Sequence, residues 1–468
     1  MITQKQLSLV DIFEDCKEIY DSDKPQFLTL LESHIDLDEI VPTSFYRHYY
    51  ASTGRNRKYP LNAMLWALII QRLFSIPTDS LLLIFLHYSR HLREFCGFTK
   101  VPDASKITRF KQDFLDDLQS VFDNLVDATE PICQDIDKNL SSMLLFDTSG
   151  IEAYVTENNP KYANRIIRQL KVYASMPASA SANHEVKQQY VNGHFCYAYK
   201  FGIMTNGLGI VRSIDFYNRD YLDSHPGIMV EKKSKSPDED KSLADSKALI
   251  PTLRDFKKRH PLIQPGIFLG DAAFDTIEIY KSLFEDFKFQ KAFIPLRVKL
   301  SLDNADYTFN DNGIPCCPHD PSLPMKREGS KSHLKSKLPT MKFVCPRMKW
   351  EYNREDKSKR RVCHCDNPCT TSSCGRMVYV YPEKNLRAYP GVERGSKEWD
   401  ETYKIRVSVE KSINHFKDSF CVANRKTTNG KTIHADLLLA GISQLFTVVV
   451  ADKINQRQHI RSLKTFIA

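Results

Sequence analysis

Three acidic residues, far apart in the chain, occupy settings in which a carboxylate could do chemistry. Asp147 follows the apolar run "MLLF" and precedes "TSG"; Asp271 follows "GIFLG" and precedes "AAF". A carboxylate at the C-terminal end of a buried strand, beside a turn of small residues, faces the crevice where α/β sheets bind ligands. Capping the following turn is the ordinary alternative for each, and Glu152, Asp275 and Glu278 are nearby rivals. The third residue is Glu410, within "YKIRVSVEKSINHFK". On a helix, Tyr403, Arg406, Glu410, Asn414 and Lys417 fall within about 80° of one another. Ile405, Val409, Ile413 and Phe416 form an apolar stripe alongside. The alternation of Ile405, Val407 and Val409 imitates a strand, but the three-residue step from Tyr403 to Arg406 would change face. Helix is the better reading. A plain intrahelical Arg406–Glu410 ion pair, worth a few tenths of a kcal/mol at roughly most, fits the same spacing.

Two kinds of element must position these residues. Residues 1–140 read as helices: "YPLNAMLWALIIQRLF", "DSLLLIFLHYSRHLREFCGF" and "SKITRFKQDFLDDLQSVFDNLVDATEPI" carry apolar residues at three-to-four spacing, with Ser105 as an N-cap. The pattern suits an ordinary small helical bundle, and it also suits a helix-turn-helix type of DNA reader. Lys106, Arg109 and Lys111 near a helix start could meet phosphate. From residue 141 the pattern alternates. "SSMLLFDTSGIEAYV" is a strand ending at Asp147, and "HFCYAYKFGIMTNGLGIVRSIDFYN" is a hairpin about Asn206-Gly207. "DKSLADSKALIPTLRDFKKRHP" is a helix, "GIFLGDAAFDTIEIYKSLFEDFK" a strand, turn and helix, and "QKAFIPL" a last strand. Strand, hairpin, helix, strand and helix in that order indicate a mixed α/β (α+β) sheet.

The bulk numbers fit a polyanion partner. The net charge is +9, and the segment from Lys326 to Arg361 alone holds thirteen Lys/Arg against four Asp/Glu. A block of that kind attracts nucleic acid, though it also suits a solvated loop. "MITQKQLSLVDIFEDCKEIY" lacks the basic and apolar regions of a secretory signal. The apolar runs "LNAMLWALII" and "LLLAGISQLFTVVVA" fall short of the roughly 20 residues that span a bilayer. A soluble, cytoplasmic protein is expected.

Seven of the twelve cysteines lie between Cys316 and Cys374, in a segment poor in apolar periodicity. Cys345, Cys363, Cys365, Cys369 and Cys374 close a basic loop, a pattern that suits a structural Zn²⁺ site which folds a segment short of core. The spacing departs from paired C-x2-C arms, His319, His333 and His364 could replace a thiolate, and an iron–sulfur cluster or unligated thiols remain as alternatives.

Tyr403-x2-Arg406-x3-Glu410-x6-Lys417 resembles the Y-R-E-K signature of DDE transposases of bacterial insertion sequences. "LLFDTSGIEA" and "FLGDAAFD" look like that family's first and second aspartates, and "ENNPKY", "GHFCYAYKFGIMTNGLG" and "PDEDKSLADS" resemble intervening segments of one subgroup. The resemblance implies an RNase H-like mixed sheet flanked by helices, with Asp147, Asp271 and Glu410 as catalytic acids. It implies two Mg²⁺ (or Mn²⁺) ions, with Asp147 bridging them and the other two acids each completing one site. Two such ions activate the nucleophile and stabilise the leaving oxygen of a phosphodiester. Tyr403, Arg406 and Lys417, with Lys106 and Arg109 on the helical domain, would grip DNA. The expected organisation is a helical DNA-binding domain (1–140), the catalytic core in two parts (141–300 and 396–468), and a basic, cysteine-rich insertion (301–395). The implied activity is cleavage and strand transfer at terminal inverted repeats of double-stranded DNA, by a homodimer associated with the prokaryotic nucleoid. A nuclease without strand transfer and a non-catalytic DNA-binding derivative are the alternatives.

Overall fold

The computed structural model describes residues 25–51, 56–162, 164, 179–191, 193–228, 243–297, 300, 306–331, 340–354, 357–381 and 386–466. Helix accounts for 47% and strand for 17%, in a mixed sheet flanked by helices without a closed barrel. Four strands make the antiparallel part of the main sheet. They are β1 (Met143–Glu152), β2 (Lys187–Val191), β3 (His194–Thr205) and β4 (Val211–Phe216). β3 lies against β1, from Leu145 opposite Thr205 to Glu152 opposite Ala198. The far edge of β3 takes β2 along its first half and β4 along its second. On the other side of β1 come β5 (Ile267–Leu269) and β6 (Lys291–Phe293), both parallel.

The run "MLLF" is apolar at every position because helices cover both sheet faces. Leu145 joins the larger core with the N- and C-terminal helices, whereas Leu144 and Phe146 join a second core with helix Asp245–Arg259. β1 extends past the end read from sequence: Asp147 lies mid-strand, and pairing with β3 carries the strand to Glu152. The β3–β4 hairpin turns through Asn206 to Ile210. A side chain at Gly207 would place its Cβ 2.8 Å from the Leu140 carbonyl oxygen, so glycine is required for that close approach.

The helices Gln26–His34 to Leu115–Ile136 pack on the sheet through one long C-terminal helix, Gly430–Lys453. That 24-residue helix contains "LLLAGISQLFTVVVA" and is longer than the apolar run suggests; by composition it could span a bilayer, yet most of it is buried inside this fold. Beneath it lies a closed charge cluster. Asp436 pairs with Arg72, Lys111 (2.8 Å) and Arg425 (2.8 Å), while Asp79 accepts from Lys111 (2.9 Å) and Arg425 (2.9 Å). Lys111 therefore cannot face phosphate: it is fully buried. Lys106 and Arg109 are exposed on the helix Ala104–Asp113. Asp103, not Ser105, caps that helix, because its carboxylate accepts from the Lys106 amide while Ser105 donates to it.

Between β6 and the last helices, five more strands carry the basic, cysteine-rich segment. β7 (Lys326–Lys331), β8 (Thr340–Val344) and, later in the chain, β11 (Met377–Val380) form a three-stranded sheet in the order β11-β8-β7. β9 (Met348–Tyr352) and β10 (Lys359–Cys363) form a separate two-stranded ribbon. The three-stranded sheet has a small core of its own, built from Leu300, Phe309, Met325, Met341, Phe343 and Val378 among others, apart from the main sheet.

Candidate active site

The two aspartates are placed by strand register. Leu145 of β1 lies opposite Leu269 of β5, and each aspartate follows its leucine by two residues. Two parallel, adjacent strands thus deliver Asp147 and Asp271 side by side where the parallel pairing ends. Asp271 also caps the turn that follows it, accepting from the Ala273 amide at 2.8 Å, whereas Asp147, mid-strand, caps no turn and accepts from the Thr148 amide at 2.8 Å. These local bonds and chemistry are compatible, since each bond uses one carboxylate oxygen.

Glu410 comes from a helical run that changes pitch three times. An α-helix (Lys397–Tyr403) tightens to a 3₁₀ turn (Lys404–Arg406), returns to α (Val407–Asn414), and widens to a π turn (His415–Ser419). The apolar stripe behaves as an anchor: Val409, Ile413 and Phe416 are buried and Ile405 packs partly against the same core. Arg406 reaches across, donating to Glu410 at 2.5 Å and standing 3.8 Å from Asp147. Lys417 departs from the Glu410 line. The π turn swings it toward the sheet, where it is buried and donates to Ser149 of β1 at 2.7 Å. Tyr403 stacks on Trp399 and is half-buried.

Electrostatics ties these groups into one site. Burial pushes the Asp147 carboxyl up to about 6; Arg406 opposes that, and Asp271 and Asp245 add to it. Burial also raises Asp271, with Asp245 and Glu410 adding to the rise against the Ala273 amide and Arg406. Burial disfavours the Arg406 charge, but Tyr403, Asp147 and Glu410 outweigh it and hold the guanidinium above its ordinary range. Burial lowers Lys417, with Cys196, Asp418 and Asp147 opposing. Several carboxylates thus share essentially one guanidinium.

Asp245 is a fourth carboxylate, which the sequence patterns do not single out. It opens the helix Asp245–Arg259, accepts from Thr148 at 2.5 Å and pairs with Lys200 of β3 at 2.6 Å. The one signal was a lone lysine in the apolar run "YAYKFGIM". The rivals fall elsewhere. Both oxygens of Asp275 are bound by Arg387, at 3.0 and 2.6 Å, and one also accepts from the Arg297 amide. Glu152 lies 3.6 Å from His194 and close to Cys196, and Glu278 is exposed.

Among the five cysteines, Cys345, Cys363 and Cys365 converge, with Cys345 Sγ 3.4 Å from Cys365 Sγ and 3.7 Å from Cys363 Sγ. Burial and the two neighbouring thiols push Cys365 up to about 12. Gly375 turns at φ +75° directly over them; a Cβ there would lie 2.9 Å from Cys363 Sγ. Cys369 and Cys374 stand outside this trio. Cys369 is nearest in charge to Cys317, and Cys374 touches Ser372. His364 pairs with Glu351, His319 faces the Asn367 carbonyl, and His333 lies outside the described residues.

No curated protein matches the chain. Residues 16–113 match the family model described as a transposase domain (DUF772), a stretch that holds Lys106, Arg109 and three members of the buried charge cluster but none of Asp147, Asp245, Asp271 and Glu410. The match supports a transposase family for this chain, and with it DNA binding and a DNA-processing role.

Proposed function

We propose that the chain is a DDE-type transposase that cuts DNA at transposon ends and joins the ends to a target, with Asp147, Asp271 and Glu410 as its catalytic acids. The observation that carries this reading is the register that sets Asp147 and Asp271 side by side, with Glu410 reached through Arg406. The strand order β4-β3-β1-β5-β6, antiparallel and then parallel, supports an RNase H-like core. The donor set fits hard divalent ions: oxygen ligands only, on groups whose ionisation is held back by burial and by one another. Two Mg²⁺ (or Mn²⁺) ions bound there would polarise the scissile phosphate and favour ionisation of the attacking hydroxyl.

The chain's own residues do the rest. Arg406 bridges two of the acids and offers a planar donor set to a DNA phosphate. Lys417, through Ser149, holds the helix against the strand that carries Asp147. Tyr403 lies on the rim and contacts DNA, as do Lys106 and Arg109 on the helical part. The protein works as a homodimer on double-stranded transposon ends, in the prokaryotic cytoplasm. The three thiols of Cys345, Cys363 and Cys365 form a soft set suited to structural Zn²⁺, with a fourth ligand still to be supplied.

Glu410→Gln is the direct test. It should abolish metal-dependent cleavage and strand transfer while DNA binding stays within about twofold of wild type. Wild-type cleavage by that variant would sink the assignment. Cleavage without joining by the wild-type protein would favour a nuclease, and end binding without cleavage a DNA-binding derivative.

A further inference from the structure

The β9–β10 ribbon takes no part in the carboxylate site and combines exposed cations with exposed aromatic rings. Its residues 349–361 carry six Lys/Arg against three Asp/Glu. Lys349, Lys359 and Arg360 are exposed, as are Arg354 and Lys357 at the turn. Trp350 and Tyr352 project from one face at 55% and 56% exposure, although aromatic side chains of that size usually find cover. Register sets Arg361 opposite Trp350 and Lys359 opposite Tyr352, and the Arg361 guanidinium lies 4.6 Å from the Trp350 ring centre. Glu351, on the opposite face, is engaged by His364 at 2.9 Å. Both faces therefore present cations. The root is fixed: Met348 is buried, and the thiols of Cys345, Cys363 and Cys365 meet there.

We propose that this ribbon is a second DNA-binding element, which lies in a groove of duplex DNA. A two-stranded ribbon matches the width of the major groove, whose walls are phosphates on both sides. Cations on both faces fit that setting. A platform for unpaired bases would need them only beside the aromatic face. Within the groove, Lys349, Lys359 and Arg360 meet phosphate, and Trp350 and Tyr352 cover base edges and sugars. The proposal rests on the DNA-processing reading and adds the surface through which the insertion would hold its substrate.

The test is fluorescence anisotropy of the full chain with a labelled 30-base-pair duplex of arbitrary sequence and with its single strand, across a salt series. Lys349→Ala/Lys359→Ala/Arg360→Ala should weaken duplex binding tenfold or more. It should also lower the slope of log affinity against log salt by roughly two to three, since each phosphate contact contributes about 0.9. Trp350→Ala/Tyr352→Ala should weaken duplex binding at an unchanged salt slope. Lys138→Ala/Lys258→Ala/Lys281→Ala, which removes the same charge from exposed sites elsewhere, should stay within twofold, and all variants should melt with the wild type. A ribbon triple variant within twofold of wild type overturns the proposal, as does an equal loss in the control triple or a loss confined to the single strand. Wild-type protein that binds no duplex would overturn the DNA-processing reading as well, which separates the two failures.

Discussion

Asp147 shows what the site costs the fold in the absence of a cation. Its carboxyl is pushed up to about 6 by burial, despite Arg406 at 3.8 Å. A folded-state value above the unfolded one means that ionisation opposes folding. The penalty builds as pH rises from about 4 to about 6 and is complete above that. Asp147→Asn should therefore be more stable than wild type at pH 7 in EDTA, by on the order of 2 kcal/mol. The difference should vanish near pH 4. Added Mg²⁺ should raise the wild-type melting temperature at pH 7 and leave the variant unmoved. A variant no more stable than wild type in EDTA, or an equal Mg²⁺ response in both, would remove Asp147 from the cation site. The positions of Asp147 and Asp271 were legible in sequence because a carboxylate after a wholly apolar run is a local pattern. Asp245 was not: an acidic residue opening a helix is what helices ordinarily carry, and only the fold brings Lys200 to it.

The helical run from Lys397 to Ser419 shows how much a periodicity argument can and cannot place. One uniform pitch puts Lys417 on the Glu410 line, but the π turn at His415–Ser419 redirects it to Ser149. Pitch changes of this kind come from packing: Arg72 and Ser75 bind the Phe420 and Ser419 carbonyls from a distant helix and its C-terminal turn. The sequence window around Glu410 holds no trace of them. The ribbon illustrates the converse, because its charge was plain in sequence while its thiol root depended on which cysteines the strands bring together. If Cys345, Cys363 and Cys365 hold Zn²⁺, protein purified under reducing conditions should carry about one zinc per chain, measured by atomic emission. Cys363→Ser should lose it, and trypsin should then cut within 349–361 several times faster while the main-sheet circular dichroism is kept. Zinc-free wild type, cut at the same rate as the variant, would refute the metal root.

The helices that match the transposase domain and the sheet that carries the acids share one core, and the charge cluster of Arg72, Lys111, Arg425, Asp79 and Asp436 locks them together. Sequence periodicity found those helices but left Lys111 at the surface, since a lysine in "SKITRFKQ" looks solvated until the fold brings it Asp79 from the preceding helices and Asp436 from more than three hundred residues away. The same cluster continues to the helical run that carries Glu410, because Arg72 binds Asp436 and also the Phe420 carbonyl just beyond Lys417. Removing one carboxylate would leave three buried cations facing Asp79 alone, and breaking a buried pair typically costs about 3–5 kcal/mol. Asp436→Asn should lose roughly that much stability in urea at pH 7. Burial opposes the charge of Asp436, but Arg425, Arg72 and Lys111 outweigh it and hold the carboxyl below its ordinary range. A depressed value contributes stability that is fully present above the unfolded value near 4 and is lost as pH falls below it. The gap between wild type and variant should accordingly be widest at neutral pH and narrow below pH 4. A gap under 1 kcal/mol at pH 7, or one that widens in acid, would show that the two regions are not joined through this cluster.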